Sequence, residues 1–332
     1  HTDDAKNNLE AIPLRYQGVS SRLTYGFRDT YLLDVNFGYT GSENFQPGRQ
    51  YGFFPSIALG WVPTGYRYLQ ENAPWLNYFK IRASYGTVGN DRISEIRFPY
   101  LTKVNQNDVN VWGIPGIETI NETRIGADNL AWERAIKSNI GFEGKLFNNK
   151  IDFVFDIFKD QRNGIFQQRV QVPSYVGVVS NPFANVGRMK SSGVDGNISF
   201  THNLSDRMGF TLRGNFTYTK NLVQNWEQAY LEYPYLEFNG FPHKSIRGYQ
   251  ALGLFKDEED IKYSPKQSFG EVLPGDIKYK DVNGDGVIDA LDQVPLTHSN
   301  YPLAMFGFGG EFRFKNLTLG LLFKGTGRTS FF

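Results

Sequence analysis

Apolar and polar side chains alternate along much of the chain with a period of two residues. The clearest run lies between residues 207 and 219, where Arg, Thr and Asn side chains occupy one face. The opposite face carries Met208, Phe210, Leu212, Phe216 and Tyr218. Successive side chains of a β-strand point to opposite sides of the sheet, so this period predicts a strand with one apolar and one polar face.

Ten segments show this alternation, and helical spacing is almost absent between them. Their bounds are 21–28, 31–40, 52–62, 78–87, 134–147, 150–158, 193–202, 207–219, 303–315 and 317–324. The longest has 14 residues, whereas strands most often have about 5–6 residues and a tilted membrane-crossing strand needs about 9–11. The lengths therefore favour strands that cross a membrane. A short helix is predicted near Tyr68–Glu71.

The links between these segments alternate in length. Short links fall near residues 29–30, 148–149, 205–206 and 316, and the link at 63–77 is intermediate. Long links cover residues 41–51, 88–133, 159–192 and 220–302. In an antiparallel sheet all the short links then lie at one end and all the long ones at the other, as in outer-membrane barrels. The predicted fold class is all-β, an antiparallel transmembrane β-barrel with long extracellular loops.

A soluble barrel or sandwich with its apolar faces inward would show the same alternation. Two observations favour the membrane barrel. The polar faces are rich in Gly, Ser, Thr and Asn beside mixed charges, which suits a wet lumen. Aromatic residues also lie near the strand ends, as the aromatic girdles at a membrane interface require. These are Tyr39, Trp61, Phe147 and Tyr218.

Composition narrows the possible functions. The chain has 35 Lys and Arg against 34 Asp and Glu, whereas a nucleic-acid-binding domain normally carries a clear basic excess. It contains no Cys, which removes disulfides, thiolate metal sites and Cys nucleophiles. Its four His residues do not have zinc-ligand spacing, and the sequence contains no G-x-S-x-G nucleophile elbow. We therefore expect neither an enzyme nor a nucleic-acid partner.

One long link contains a calcium-loop pattern. Residues 281–292 read DVNGDGVIDALD, which has the D-x-[DN]-x-[DN]-G arrangement of calcium loops. Alternate side-chain oxygens in such a loop surround one hard cation, and the Gly allows a sharp turn. The pattern predicts a structural Ca²⁺ site, and a metal-free Asn-Gly or Asp-Gly turn is the alternative. The candidate ligands are Asp281, Asn283, Asp285, Val287 through its carbonyl, Asp289 and Asp292.

Aromatic residues are concentrated in the long links. Exposed aromatic faces beside Asn, Gln and Glu suit amphipathic ligands, sugar rings included, through stacking and hydrogen bonds. The alternative is packing between loops or against a partner protein, where Tyr and Trp are also enriched. The candidate ligand contacts are Trp112, Tyr175, Trp226, Tyr230, Tyr233 and Tyr235.

Several stretches together resemble the SusC/RagA family of TonB-dependent outer-membrane transporters, typical of Bacteroidota. Their order and spacing agree with that family over nearly the whole chain from about residue 20. The stretches are YLLDV at 31–35, RQYGFFPS at 49–56, Gly60-Trp61, WLNYFKIRASYGTVGN at 75–90, the short pieces at 172–174, 185–187 and 192–195, GDIKY at 275–279 with the 281–292 loop, and residues 307–314.

The resemblance implies a 22-stranded outer-membrane barrel with an N-terminal plug, energised through the TonB complex. It also implies a SusD-like surface lipoprotein as partner and a glycan or peptide as the imported nutrient. Residues 1–332 are then expected to be part of one barrel domain without the plug, because about ten strands would leave two unpaired edges in lipid. Both chain ends are expected to be cuts through a longer polypeptide, with no visible signal peptide.

Two other functions remain open from the sequence. A passive porin or an adhesion barrel would share the strand pattern but lack an upstream plug. A soluble secreted protein that binds calcium and carbohydrate would be recovered without detergent.

Overall fold

The computed structural model describes residues 12–92, 97–109, 118–127, 129–178 and 180–330. Its architecture is almost entirely β. The strands are β1 Tyr16–Phe27, β2 Tyr31–Ser42, β3 Tyr51–Trp61, β4 Leu76–Asn90, β5 Lys103–Val109, β6 Glu118–Arg124, β7 Glu133–Leu146, β8 Ile151–Gln168, β9 Phe183–Ser205, β10 Met208–Asn225, β11 Ser245–Gly248, β12 Ala251–Leu254, β13 Lys266–Gln267, β14 Ile277–Tyr279, β15 Val287–Ile288, β16 Val294–Ser299, β17 Ala304–Phe314 and β18 Leu317–Gly327.

Ten long strands form one antiparallel sheet in the order β1-β2-β3-β4-β7-β8-β9-β10-β17-β18. Each long strand pairs with the next long strand along the chain, so the sheet is a simple meander. All ten strands that the alternation predicts are therefore confirmed. Among the described residues, β1 and β18 each pair with a neighbour on one side, and these two strands form the edges of the sheet.

The remaining strands are short and belong to the long connections. They form four small pairs: β5 with β6, β11 with β16, β12 with β14, and β13 with β15. The described residues contain two α-helices, α1 over Arg67–Asn72 and α2 over Glu258–Lys262, beside 3-10 turns at Pro63–Gly65, Ser174–Val176, Pro234–Leu236 and Ala290–Asp292. The short helix predicted near residue 68 is confirmed as α1. Across the described residues, neither helix is long and apolar enough to cross a membrane.

The two faces of the large sheet differ in the way the alternation predicts. Large apolar side chains on one face, here called the outer face, are uncovered, and Leu23 and Phe308 expose 65% and 55% of their surface. A soluble protein rarely leaves so large an apolar patch exposed. The opposite face, here called the inner face, carries the charged and amide side chains. The arrangement matches a barrel wall with its apolar side toward lipid.

Packed core lies at the long-connection end of the sheet. Phe45, Ala127 and Leu130 are buried together there, with Trp132 packed against them. The Trp132 ring also donates its indole N–H to the Gln50 carbonyl at 2.9 Å. This cluster packs the connections after β2 and β6 against the long-connection end of the sheet.

The predicted aromatic girdle is present at the ends of several strands. Tyr39 stacks on Tyr51 with ring centroids 5.0 Å apart, and Phe147 stacks on Trp75 at 6.1 Å. Trp61 closes β3 with 42% of its surface exposed. Rings of this kind at both ends of the strands are typical of residues at the two membrane–water interfaces.

The link predicted at 159–192 is wrong in its bounds. Strand β8 continues to Gln168 and β9 begins at Phe183, so their connection covers residues 169–182. The continuation is polar, with Lys159, Asp160 and Arg162 in the β8 half. A strand that leaves the membrane needs no apolar face, which is why the alternation stops while the pairing between β8 and β9 goes on.

Candidate functional site

Charged side chains on the inner face form a cluster that spans three adjacent strands. Arg82 of β4 donates from Nε to Glu143 of β7 at 2.7 Å and from Nη2 to Asp156 of β8 at 2.7 Å. The Lys80 ammonium lies 3.7 Å from the second Glu143 oxygen. Charge-assisted pairs of this geometry are among the stronger hydrogen bonds in proteins. The cluster therefore ties β4 to β7 and β8 through side chains as well as through the backbone.

A glycine on the middle strand makes this reach possible. Gly141 of β7 is the register partner of Arg82 on one side and of Asp156 on the other. A Cβ at Gly141 would lie 2.7 Å from the Arg82 guanidinium carbon and 2.6 Å from Asp156 Oδ1. The space above Gly141 is thus filled by the ion pair itself. Arg82 can cross β7 only because residue 141 has no side chain.

The negative charge continues onto the next strand. Asp195 of β9 is the register partner of Asp156, so two carboxylates face the same side of the wall. Asp156 is 7% exposed, and its Oδ1 atom accepts no hydrogen bond from the described residues. Lys80, Arg82, Glu143, Asp156 and Asp195 together carry one more negative than positive charge. This part of the inner face is suited to positively charged groups and hydrogen-bond donors.

A buried glutamate joins two of the long connections. Glu227, which follows β10, has a side chain only 8% exposed and forms an ion pair with Arg169. Its Oε1 atom accepts the backbone N–H groups of Val170 and Gln171, each at 3.1 Å. One carboxylate therefore satisfies three donors from the connection between β8 and β9. This Glu227 clasp holds that connection against the one after β10.

Arg247 holds together the aromatic segment of the longest connection, residues 226–241. Arg247 of β11 donates to the Tyr235 carbonyl at 2.6 Å and to the Glu237 carbonyl. Its guanidinium carbon lies 5.5 Å from the centre of the Phe238 ring and 5.3 Å from that of Phe241. Burial lowers the pKa of Arg247, but an arginine still carries its charge at neutral pH.

The structure separates the predicted ligand contacts into two groups. Tyr175 and Tyr230 are almost fully exposed, at 89% and 91%. Both lie close in sequence to the Glu227 clasp, and they offer free aromatic faces to a ligand or partner. Trp112 lies outside the described residues.

The other predicted aromatic contacts are engaged within the longest connection. Tyr233 and Tyr235 stack with centroids 5.4 Å apart, and Tyr235 donates to the Leu291 carbonyl at 2.7 Å. Trp226 lies 6.2 Å from the His243 ring. Burial, with a smaller contribution from Asp292, raises the pKa of Tyr235, so its hydroxyl stays protonated as the donor. These three residues pack the loop, which was the alternative interpretation, and their contact with a ligand stays a prediction.

The acidic loop folds around its own backbone. Both Asp281 oxygens accept backbone N–H groups, from Gly284 and Gly286. Asp289 and Asp292 form a capping box on the 3-10 turn at 290–292. Asp292 is fully buried, and its two oxygens accept from Val282 and Asp289 at 2.7 and 2.9 Å. Within the described part of the chain, no group of three or more acidic or His side chains is placed to hold a metal ion. Calcium binding here stays a prediction.

Sequence reasoning missed the residues that organise the site. Arg82, Glu143 and Gly141 were not singled out, nor were Glu227 and Arg247. One signal was available, because the short turn between β7 and β8 fixes their register and places Gly141 opposite Asp156. The Glu227 contacts join two connections far apart in sequence, and the Arg247 contacts lie within one connection that has no repeating pattern, so a local pattern carries no information about either set.

The comparison with protein families gives one match over most of the chain. Residues 13–321 match the family model described as TonB dependent receptor-like, beta-barrel. TonB-dependent receptor P26 of Formosa agariphila is 28% identical over 98% of this chain and 33% of its own length. TonB-dependent receptor SusC of Bacteroides thetaiotaomicron is 24% identical over 61% of this chain and 20% of its own. The chain thus spans about a third or less of these curated relatives.

Solved structures share the fold. The RagAB peptide importer in its open-open state superposes with a TM-score of 0.74 at 20% identity, over 95% of this chain and 33% of that one. The RagAB peptide transporter gives a TM-score of 0.71 at 20% identity, over 94% of this chain and 33% of that one. The resemblance to the SusC/RagA group read from the sequence is confirmed by these relatives together.

Proposed function

Because this chain belongs to the TonB-dependent receptor β-barrel family, we propose that it forms part of the wall of an outer-membrane importer energised through the TonB complex. The observation that carries the proposal is the contrast between the two faces of the sheet. Apolar side chains cover the outer face, and the Arg82 cluster occupies the inner face. Such a wall separates lipid from a wet path, and the role proposed for it is transport rather than covalent chemistry.

The wall needs further strands to close. Each backbone group left open at β1 and β18 would cost several kcal/mol in lipid. We propose that these two edges pair with other strands of the same barrel, since the matched relatives are about three times as long as this chain. The short turns then face the periplasm and the long connections face the outside.

The solute is proposed to be an oligosaccharide or a peptide, captured with a SusD-like lipoprotein at the outer end. The exposed rings of Tyr175 and Tyr230 lie in the long connections, where such a partner or solute would first arrive. The negative cluster on the inner face suits a solute with ammonium or guanidinium groups, which favours peptides. The structural neighbours described as peptide importers agree with this choice.

Uptake by cells tests the proposal. Cells carrying the full-length gene would receive labelled peptides and labelled oligosaccharides, with and without a functional TonB complex. We expect uptake of one solute class, and its loss when either the gene or TonB is removed. Uptake that survives the loss of TonB would show a passive barrel instead. Recovery of the full-length protein in the soluble fraction would contradict both membrane functions.

We also propose that residues 281–292 bind a structural Ca²⁺ ion. Asp281 and Asn283 are half-buried and Asp285 is exposed on one turn, and their side-chain oxygens are the donors that calcium prefers. Titration of EDTA-treated full-length protein with CaCl₂ is expected to release heat, and Asp285→Asn should weaken it. No heat in the EDTA-treated protein would remove the proposal. The turn would then be held by its own hydrogen bonds, those to Asp292 among them.

A further inference from the structure

A groove crosses the outer face of the wall where glycines replace large side chains. Gly196 of β9 and Gly214 of β10 form its floor, in a groove of about 570 Å³. Rings from β8 and β17 form its two sides, among them Phe155 and Phe308. Phe308 also borders a second groove of about 610 Å³ that has Gly310 in its floor. The three glycines lie on successive strands, so the two grooves follow one diagonal line.

Aromatic rings cover Gly144 and Gly325 on the outer face but leave the floor open at Gly214. A Cβ at Gly144 would lie 2.3 Å from the Phe153 ring, and one at Gly325 would lie 2.4 Å from the Phe306 ring. These two rings therefore lean away from the groove, onto the neighbouring strands. A Cβ at Gly214 would find its nearest neighbour at 3.6 Å, the Ile198 Cγ2 atom. The open floor results from the way the surrounding rings are turned.

Positive charges lie at the short-turn end of the same strands. Lys150 precedes β8, Arg207 joins β9 to β10, and Lys315 joins β17 to β18. Two of these turns touch, because Lys315 N–H donates to the Arg207 carbonyl at 2.7 Å, and the Lys150 carbonyl accepts from Thr201 N–H of β9 at 2.8 Å. Asp206 is the one acidic residue in these three turns. The three turns together have a surplus of two positive charges, and the two that touch, with Asp206, Arg207 and Lys315, have a surplus of one.

The distance between the cations and the groove fits one lipid molecule. Gly310 is five residues from Lys315, and Gly214 is seven from Arg207. At about 3.4 Å per residue and a strand tilt of about 40°, these glycines lie roughly 13–18 Å from the cations along the membrane normal. Half of a bilayer's hydrocarbon core is about 15 Å thick. An acyl chain that fills the groove thus has its phosphate at the level of the turns.

We propose that this part of the outer face binds one phospholipid of the inner leaflet. The acyl chain lies along Gly310, Gly214 and Gly196, and the phosphate lies between Arg207 and Lys315. A protein partner fits less well, because a specific interface carries about one hydrogen bond per 100–200 Å². The outer-face side chains that line the groove among the described residues are apolar. The proposal needs the membrane placement of the wall, and it requires neither TonB nor a solute.

Native mass spectrometry of the full-length protein in detergent tests the proposal. Phosphatidylglycerol is the probe, and phosphatidylcholine is the comparison without net charge. The wild type is expected to retain one phosphatidylglycerol. Gly214→Leu places a side chain in the groove without backbone strain, since the position is not left-handed, and should lower retention at least tenfold. Gly38→Leu is the matched control on the inner face, where a Cβ has free space, and should retain the lipid.

A second pair of variants tests the charges without touching the groove. The Arg207→Gln and Lys315→Gln double variant is expected to lose the preference for phosphatidylglycerol over phosphatidylcholine. Heat-modifiable migration in gels confirms that each variant is folded. Equal lipid retention in the wild type, the groove variant and the charge variant would overturn the proposal, as would a wild type that retains no lipid. A second barrel or another protein retained at this face in place of lipid would also overturn it.

Discussion

The two faces of the same strands are stabilised in opposite ways. On the outer face, Leu212 and Phe308 remain more than half exposed because their partner is the bilayer rather than protein. On the inner face, Arg82 is held by Glu143 and Asp156. Two side chains adjacent in sequence on one of these strands are therefore stabilised by different surroundings, lipid on one face and paired charges on the other. The outer face tolerates loose packing but no charge, and the inner face tolerates charge when it is paired.

The largest expected effect comes from a charge on the outer face. Leu212→Arg, in the membrane-crossing part of β10, is expected to destabilise the folded protein by about 2–4 kcal/mol, the range for Arg near the bilayer midplane. Thr211→Arg on the inner face should change stability little. Urea unfolding of the full-length protein in lipid vesicles measures both. Equal losses at the two positions would contradict the assignment of the faces.

A smaller effect is expected from breaking the inner-face cluster. Asp156→Asn removes one of the two carboxylates paired with Arg82 and should lower the free energy of unfolding by about 2 kcal/mol, because hydrogen bonds to charged groups contribute about 1.5–3 kcal/mol. Asp195→Asn is the control, since it removes a like charge beside Asp156 and should be neutral or stabilising. The same urea experiment applies. A loss at residue 195 equal to that at residue 156 would show that the pair with Arg82 contributes nothing.

The next largest loss of stability is expected at Gly141, the glycine that Arg82 crosses to reach Asp156. Gly141→Ala places a methyl group within 2.7 Å of both charged partners, and crowding of this kind typically costs about 1–3 kcal/mol. Since the two side-chain ends can shift, we expect a value near the lower limit. Gly38→Ala, also on the inner face, has no atom within 4 Å of the new methyl group and should be neutral. A neutral Gly141→Ala would show that Arg82 does not need to cross β7.

A local effect is expected in the long connections. Arg247→Met leaves the Tyr235 and Glu237 carbonyls without their donor, and a lost hydrogen bond costs about 1 kcal/mol. The change should loosen residues 233–241 without altering the sheet. Limited proteolysis should cut this segment faster in the variant, while heat-modifiable migration stays unchanged. Unchanged cleavage would show that the segment is held by its aromatic contacts alone.

The smallest effect is a pH dependence at the same loop. Burial and the neighbouring Lys244 lower the pKa of His243, so the unfolded loop binds the proton more readily than the folded one. Stability of the loop is then complete above the ordinary His pKa of about 6.5 and is lost as the pH falls below it. Hydrogen exchange of residues 241–245 should speed up between pH 7.5 and 5.5, after correction for intrinsic rates. His243→Gln should remove the dependence, and its persistence would assign it to another group.

The strands were predictable because one physical rule governs them. Alternation at positions such as Phe210 and Leu212 follows from the contact of each strand with lipid on one side and water on the other. Where that contact ends, as beyond Phe158 on β8, the rule no longer applies and the predicted bounds are wrong. The small strands and the second helix, Glu258–Lys262, lie in connections that do not face lipid on one side and water on the other. Their sequences therefore show no alternation from which they could be predicted.

The site was less predictable than the wall. Asp156 could be placed on the polar face from sequence, but its partner Arg82 comes from β4, across a connection of more than forty residues. The clasp at Glu227 likewise depends on two loops meeting in space. Aromatic content alone did not distinguish the exposed Tyr230 from the loop-packed Tyr235, because both lie in the same aromatic segment.

The orientation of the wall is tested most directly by scanning residues 208–219 of β10 with single cysteines. Residues 1–332 contain no Cys, and any Cys elsewhere in the full-length protein is replaced first, so that each variant carries one fluorescent label when reconstituted in vesicles. Lipid-attached quenchers are expected to reach labels at even positions, such as 210, 212 and 216, and water-soluble quenchers are expected to reach 211, 213 and 217. Uniform quenching, or the opposite alternation, would contradict a wall whose outer face meets lipid and whose inner face meets water.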